Sequence, residues 1–337
     1  MKRAGRVLTI IFSCAAMLML ILDSKTALQG AQEGLAICGK TVIPSLFPFF
    51  VISILLTGAI SGYSIPIFKP ITKFCKMPKG SESLLLVGLL GGYPVGAKCI
   101  YDCWKSGQLT KEDARRCLGF CSNAGPAFIF GMCGILFEQI WTVWVLWGIH
   151  IFSALLVGNM LPGYSADSLK ENQKENVPLT DAASKATTAM ISVCGWVILF
   201  RVIIAFGERW FLWLLPENFR VALQGILELA NGCNSLLTVQ SEGVRFLLCA
   251  AFLSFGGICV GLQTASVVGE LGTGLYFPGK ALQCVISCSI AGLFVSLRYR
   301  ICSPVWPMVS IIVLFLLVAL KKTVAFPGKL VYNEENY

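Results

Sequence analysis

The segment SLLLVGLLGGYPVGAK (residues 83–98) begins with an apolar run, Leu84–Leu90, that glycines and a proline then interrupt. A helix that crosses a bilayer needs about 20 apolar residues, so this run is too short to cross. Basic residues flank the segment on both sides: Lys69, Lys73, Lys76 and Lys79 precede it, and Lys105, Lys111, Arg115 and Arg116 follow it. Because loops rich in lysine and arginine stay in the cytoplasm, the segment predicts a re-entrant hairpin that enters and leaves on one face.

The composition of the chain excludes an ordinary soluble enzyme. Of the 337 residues, 56% are hydrophobic and 13% are charged, whereas soluble domains carry about 25% charged residues. Several apolar runs approach the length of a bilayer span, which predicts an all-α polytopic membrane protein in contact with lipid. The net charge of +9 is typical of cytoplasmic loops in such a protein, and no basic stripe with interleaved aromatic residues indicates a nucleic-acid partner.

The order of apolar spans and helix breaks in the first half of the chain recurs in the second half. Polar or glycine-rich breaks interrupt the apolar segments at Gly91–Gly96, Ser122–Pro126, Asn231–Asn234 and Gly256–Gly261. Each half contains an opening span, two breaks and closing spans. Counted from a cytoplasmic N-terminus, the two opening spans run in opposite directions, as an inverted-topology repeat requires. We therefore predict two inverted repeats with broken helices and re-entrant hairpins.

This plan divides the chain into five parts. Three basic residues precede an apolar run that ends at Leu22, and no small-x-small cleavage site follows it, which favours an uncleaved helix over a signal peptide. The predicted parts are an N-terminal transmembrane helix (1–25), the first repeat (26–161), a polar linker (162–185), the second repeat (186–322) and a polar tail (323–337). Arg298 and Arg300 precede the last apolar run and leave the topology of the final third open.

Helix breaks at the depth of the bilayer point to a ligand site. Unpaired main-chain groups in hydrocarbon cost several kcal/mol each, so broken helices persist where they line a buried site or a watery cavity. Breaks in corresponding positions of two repeats are typical of the binding site of a transporter. The alternative is that the glycines serve close helix packing, because Gly92/Gly96 and Gly257/Gly261 fit the G-x-x-x-G pattern.

Polar side chains beside the breaks are the candidate ligand contacts. Glu228 precedes Asn231 by three residues on the same helical face, and an acid there suits a coupling ion, Na⁺ or H⁺. Lys98 and Arg201 are cations that suit an anionic ligand; the alternatives are snorkelling for Lys98 and an interhelical ion pair for Arg201. The predicted substrate contacts are Tyr93, Lys98, Asn123, Asn231, Gln263, Thr264 and Ser266.

No catalytic motif accompanies these residues, so we expect neither an enzyme nor a cofactor. His150 is the one histidine of the chain; it is more typical of a packed helix residue than of a proton relay. The run Gly34–Thr41 fits the P-loop pattern, but it lies in an amphipathic helix without the strand that a P-loop needs. The 15 cysteines form no C-x-x-C pair and are interpreted as packing residues rather than as metal ligands.

Four motifs resemble the YlbJ (SpoVV) sporulation integral membrane proteins of endospore-forming bacteria: IPSLFPFF (43–50), GGYPVGAK (91–98), CSNAGPAF (121–128) and ELANGC (228–233). That family is similar to proteins with the gate domain of nucleoside transporters and FeoB-type iron transporters. The resemblance implies two gate-like repeats. It also implies export of dipicolinic acid from the mother cell across the outer forespore membrane.

Dipicolinate is a planar pyridine with two carboxylates, so its site needs donors and positive potential. Helices that restart after Pro94 and Pro126 present main-chain N–H groups, which suit an anion. Two alternatives stay open: a carrier of nucleosides or related heterocycles, and a non-transporting membrane scaffold of sporulation. Homo-oligomers or sporulation membrane proteins are the expected protein partners.

Overall fold

A computed structural model describes residues 2–60, 65–163 and 177–299, together with Leu169 and Val313. Helices account for nearly all of this part of the chain, and it contains no β-strand. Five helices are long and apolar enough to cross a bilayer: Ser24–Ala59, Ile140–Met160, Leu179–Trp210, Glu242–Leu271 and Tyr276–Arg298. The predicted all-α polytopic class is confirmed.

The first half contains nine α-helices among the described residues. They are α1 (Lys2–Leu22), α2 (Ser24–Ile37), α3 (Ile43–Ile60), α4 (Lys69–Phe74), α5 (Glu82–Leu90), α6 (Val95–Lys105), α7 (Lys111–Leu118), α8 (Pro126–Phe128) and α9 (Ile140–Met160). A π-helical turn joins α2 to α3, and a second π-helical turn, Ile129–Cys133, continues α8.

The second half contains six α-helices among the described residues. They are α10 (Leu179–Trp210), α11 (Glu217–Leu227), α12 (Leu229–Ser235), α13 (Glu242–Phe255), α14 (Gly257–Val268) and α15 (Tyr276–Tyr299). Helix α10 begins at Leu179, inside the segment 162–185 that was predicted as a polar linker, so the first turns of α10 are polar but helical. The division of the chain into five parts stays a prediction. The predicted tail (323–337) and nearly all of the last apolar run, Val309–Leu320, lie outside the described residues.

The N-terminal part of the first half is built on close packing of helices. α2 packs along α10, and a Cβ added at Gly34 would lie 2.9 Å from the Cα of Ile198. Glycine is needed there because any side chain would force the two helices apart. The P-loop-like run therefore contributes a packing glycine within a helix, and no strand precedes it.

All four interruptions are present in the structure. α5 ends before Gly91 and α6 begins at Val95, and the second interruption separates α7 from α8. The third break was predicted at Asn231–Asn234 but lies three residues earlier, at Glu228, because the Glu228 carboxylate caps α12 and Asn231 is already helical. The fourth lies at Gly256 and Gly257, whose φ angles of 81° and 80° favour glycine.

The breaks pack against each other in pairs. A Cβ added at Gly125 would lie 3.0 Å from the Cα of Gly92, so the first and second breaks meet backbone to backbone. A Cβ added at Gly257 would lie 3.3 Å from the N atom of Leu229 and 3.4 Å from the Cα of Glu228, so the third and fourth breaks meet in the same way. The same arrangement thus recurs in each half. The inverted orientation of the two halves stays a prediction.

Arg116 holds the two flanks of the first hairpin together. Its buried guanidinium donates to the main-chain carbonyls of Cys75 (2.6 Å) and Lys76 (3.1 Å), which precede α5, although Arg116 itself follows α6. It also donates to the carbonyl of Pro162 (3.1 Å), beyond the end of α9. Both flanks of the hairpin therefore lie at one end of the molecule, as a re-entrant segment requires.

This arrangement predicts the labelling pattern of single cysteines placed at Lys79, Ser106 and Glu138, all exposed. In a background without reactive native cysteines, Lys79→Cys and Ser106→Cys should react with an impermeant maleimide from the same face. Glu138→Cys, between the broken helix and α9, should react from the opposite face. Labelling of Lys79→Cys and Ser106→Cys from opposite faces would contradict the hairpin.

Candidate functional site

A cavity of about 40 Å³ lies where the breaks of the two halves meet. It has room for a few water molecules, since one water needs about 10–15 Å³ on this measure. Residues of the first three breaks and of α14 line it: Gly92, Tyr93, Ala124, Gly125, Glu228, Leu229, Ala230, Val260 and Gln263, with Val42, Leu46, Phe128, Val193 and Val197. The cavity is therefore built by both halves of the chain.

A fully buried lysine, Lys280 of α15, lies behind this cavity. Its ammonium Nζ donates to Asn123 Oδ1 and to Gln283 Oε1, each at 2.9 Å. It also lies 5.3 Å from the ring centroid of Tyr93 and 5.9 Å from that of Tyr276. Among the described residues, no carboxylate forms an ion pair with it. These five residues are the central polar cluster.

Asn123 connects the two breaks of the first half to this lysine. Its side-chain Nδ2 donates to the carbonyls of Phe120 (2.6 Å) and Gly88 (3.4 Å). These bonds direct Oδ1 toward Lys280. On the other side, Gln283 donates to the carbonyl of His150 at 3.2 Å. The predicted candidate Asn123 thus contacts a cation from the second half rather than the cavity itself.

Tyr93 separates Lys280 from the cavity. Its ring belongs to the cavity wall, and its buried hydroxyl has no hydrogen-bond partner among the described residues. A Cβ added at Gly256 would lie 3.2 Å from Tyr93 Oη and 3.6 Å from Tyr276 Oη, so both hydroxyls converge on the fourth break. A buried unpaired hydroxyl costs about 1–3 kcal/mol, so these donors are suited to an incoming acceptor such as a carboxylate oxygen.

Glu228 caps α12 from within the cavity wall. Its carboxylate accepts from the main-chain N–H groups of Ala230 (2.9 Å) and Asn231 (2.6 Å) and from Asn231 Nδ2 (2.6 Å). Capping is thus a sufficient structural reason for an acid at this position. Asn231 Oδ1 has no partner in the described part of the chain, and Gln263 lines the cavity beside Cys259.

A second cavity, of about 330 Å³, has Asn231 in its wall. It is polar, and its charged members are Glu33, Lys40, Arg201 and Glu208. Arg201 forms ion pairs with Glu33 and, at 2.9 Å, with Glu208, so the interhelical ion pair is the correct interpretation of this residue. Because Asn231 bonds Glu228, this amide–carboxylate pair lies between the two cavities.

Of the seven predicted contacts, Tyr93 and Gln263 line the first cavity, whereas Asn123 and Asn231 bond residues beside it. The remaining three are not in its wall either. Lys98 is exposed and pairs with Asp102 at 2.6 Å, because Ala97 and Ile100 occupy the buried face of α6. Ser266 is exposed on α14. Thr264 is buried beside Tyr276 rather than in the cavity wall. The structure therefore places Lys98 on the exposed face of α6, outside the cavity wall.

Neither Lys280 nor Gln283 was among the predicted contacts. The apolar run read from the sequence, about Ala281–Leu297, begins one residue after Lys280, and Gln283 lies inside it without a nearby break. That boundary placed Lys280 outside the membrane. The structure begins α15 at Tyr276. The sequence contained a signal: Leu275, Tyr276 and Phe277 make the chain apolar again before the lysine. An ionisable residue inside a span is by itself a functional candidate.

In comparisons with known proteins, the chain is similar to the sporulation integral membrane protein YlbJ of Bacillus subtilis (strain 168). The two sequences are 24% identical, and the alignment covers 84% of this chain and 80% of the relative. No protein-family model matches the chain, and no solved structure matches it at a significant level. The resemblance to the YlbJ proteins is confirmed, whereas the grouping with nucleoside transporters and FeoB stays a prediction.

The capping geometry predicts the effect of two substitutions at Glu228 on stability. Glu228→Ala should lower the free energy of unfolding by about 1 kcal/mol, the usual loss for a removed cap. Glu228→Gln keeps one acceptor oxygen and should lose less. Thermal unfolding in detergent measures both, with Glu217→Ala as control, since Glu217 is exposed at the start of α11. Unchanged stability of Glu228→Ala would show that the cap contributes nothing.

Proposed function

Because the chain is related over most of its length to the sporulation integral membrane protein YlbJ, we propose that it is a multipass transporter of a small anionic metabolite in sporulating cells. The substrate that the resemblance indicates is dipicolinic acid, exported from the mother cell across the outer forespore membrane. The membrane class rests on the five apolar helices. The choice of a transporter and of an anion rests on the site.

The observation that carries this proposal is the buried ammonium of Lys280. An ionisable side chain inside a membrane span is costly, and Lys280 is fully buried four residues after the start of α15. Proteins usually offset this cost with a carboxylate, and none of the described carboxylates pairs with Lys280. Neutral acceptors, Asn123 and Gln283, hold it instead. The positive charge thus stays available to an anion.

The surroundings of Lys280 suit an aromatic dicarboxylate. One carboxylate would take the ammonium as its partner, in a charge-assisted hydrogen bond. The hydroxyls of Tyr93 and Tyr276 converge at Gly256 and supply further donors. Their rings supply flat apolar surface for a pyridine ring. A nucleoside carries no charge and would leave the ammonium uncompensated, so the site favours the anion over the nucleoside alternative.

Transport through this site requires a conformational change. A cavity of about 40 Å³ holds a few waters and is far too small for a planar diacid. Tyr93 also separates the cavity from Lys280. We infer that the paired breaks move apart during transport and that Tyr93 turns away, so that the cavity and the central polar cluster become one space. Gating of one repeat against the other is the general mechanism of such carriers.

Glu228 offers a physical route to ion coupling. Its cap bonds depend on the negative charge of the carboxylate, so a proton or Na⁺ that neutralises it weakens the start of α12. That start lines the small cavity. The second cavity is polar and has Asn231 in its wall, and Asn231 bonds Glu228. A cation would therefore reach Glu228 from this cavity.

Flux measurements on Lys280 variants test the proposal. In proteoliposomes, uptake of labelled dipicolinate should fall at least tenfold in Lys280→Met, because the site loses its charge while it keeps the length of the side chain. Lys280→Arg should keep part of the flux. Lys98→Met is the matched control and should transport like the unmodified protein, since Lys98 is exposed. Melting curves and gel filtration confirm that each variant is folded.

Normal dipicolinate flux in folded Lys280→Met would contradict the proposed site. Uptake of labelled nucleosides that dipicolinate does not inhibit, without uptake of dipicolinate itself, would favour the heterocycle carrier. Folded protein without flux of either solute would favour the scaffold.

A separate prediction concerns coupling. An imposed proton or sodium gradient should drive dipicolinate above its equilibrium level in the unmodified protein. Glu228→Gln should lose this accumulation but retain exchange of internal for external dipicolinate, which needs no net ion movement. Accumulation by Glu228→Gln at the unmodified level would exclude Glu228 as the coupling residue.

A further inference from the structure

Three cysteines from distant parts of the chain converge at one point. Cys133 ends the π-helical turn Ile129–Cys133, Cys233 belongs to α12 and Cys249 to α13. All three are buried, and their sulfur atoms lie within 4.8 Å of one another. Packing alone needs small apolar side chains at these positions, but it does not need three sulfurs around one point.

We propose that Cys133, Cys233 and Cys249 bind one Cu(I) ion between the two halves of the protein. At a metal–sulfur distance of about 2.3 Å, three sulfurs around one ion lie about 4 Å apart. The observed limit of 4.8 Å is within 1 Å of that value. Small side-chain rotations therefore suffice to close the site around an ion.

The ligand set favours Cu(I) over the other common soft cation, Zn²⁺. Thiolates select both ions. A structural zinc site is almost always four-coordinate, but among the described residues the group contains three ligands and neither histidine nor carboxylate. Complete burial leaves no evident place for water as a fourth ligand. Cu(I) accepts three sulfur ligands.

Arg245 connects the chain segments that carry two of the three cysteines. It precedes Cys249 by one turn on α13 and donates to the carbonyls of Leu136 and Val239. Leu136 follows Cys133 by three residues, so the bond to its carbonyl helps to fix the segment of Cys133 against α13.

A bound ion would join the segment after the second break to α12 and α13, the two helices between the third and fourth breaks. Occupancy should therefore stabilise the contact between the two halves. This inference concerns binding alone and stands or falls independently of the proposed transport function.

The test is a Cu(I) titration of the full chain in nanodiscs, under anaerobic conditions after thiol reduction, in competition with the chromophoric chelator bicinchoninate. We expect one equivalent of Cu(I) per chain to be taken from the chelator. Cys133→Ser, Cys233→Ser and Cys249→Ser should each weaken binding at least 100-fold. The matched control is the double variant Cys284→Ser/Cys288→Ser. In the unmodified protein these two sulfurs lie 4.0 Å apart on α15, and among the described residues they form no group of three metal-ligating side chains. The variant should bind Cu(I) like the unmodified protein.

Thermal unfolding provides a second readout that does not depend on the chelator. Cu(I) should raise the melting temperature of the unmodified protein and of the control, because it binds the folded state. It should not raise that of Cys249→Ser or, if serine prevents folding, of Cys249→Ala. The proposal is overturned if the folded cysteine variants still bind one Cu(I) per chain, or if the unmodified protein binds Zn²⁺ but not Cu(I). It is also overturned if mass spectrometry finds two of the three thiols joined as a disulfide.

Discussion

The structure depends on one constraint: main-chain polar groups that a broken helix exposes need partners, and hydrocarbon supplies none. The chain meets this constraint by placing broken ends against broken ends. Gly92 and Gly125 bring the first two breaks into backbone contact, and Gly257 brings the fourth against Glu228. Side chains of the breaks bond further main-chain groups: Asn123 donates to the carbonyls of Phe120 and Gly88, and Glu228 accepts from the N–H groups of Ala230 and Asn231.

Packing and binding are therefore not competing explanations for the glycines. A side chain at any of these glycines would separate two breaks, which makes glycine a structural necessity. The same close approach leaves a cavity of about 40 Å³ and brings the Lys280 ammonium to Asn123. The site exists because the breaks meet, and each polar residue at the junction has both a structural and a chemical consequence. Glu228, which caps α12 and lines the cavity, shows this most directly.

Two kinds of buried polar chemistry lie at the interface of the two halves. The central polar cluster offers a positive charge without a carboxylate partner, which suits a passing anion. The cysteines at 133, 233 and 249 offer soft donors in a closed space, which suits a resident cation. The central polar cluster and the group of three cysteines each combine residues from the two halves. Binding at either place would therefore depend on how the two halves are positioned against each other. The second polar cavity, with Arg201 between two glutamates, adds a charged region that is already neutralised.

The sequence by itself determined the membrane class, the helical fold and the approximate positions of the four breaks. These features depend on the length of each apolar run and on the backbone effects of glycine and proline, which are local properties of the chain. It also identified Tyr93, Asn123 and Glu228 as residues of the junction. Only the tertiary structure decided which polar groups meet, since Lys280 and Asn123 are 157 residues apart and nothing local records their contact. Ala97 and Ile100 form the buried face of α6 and turn Lys98 outward. One of the helices that α6 packs against, α14, comes from the other half of the chain, so only the tertiary structure shows which face is covered.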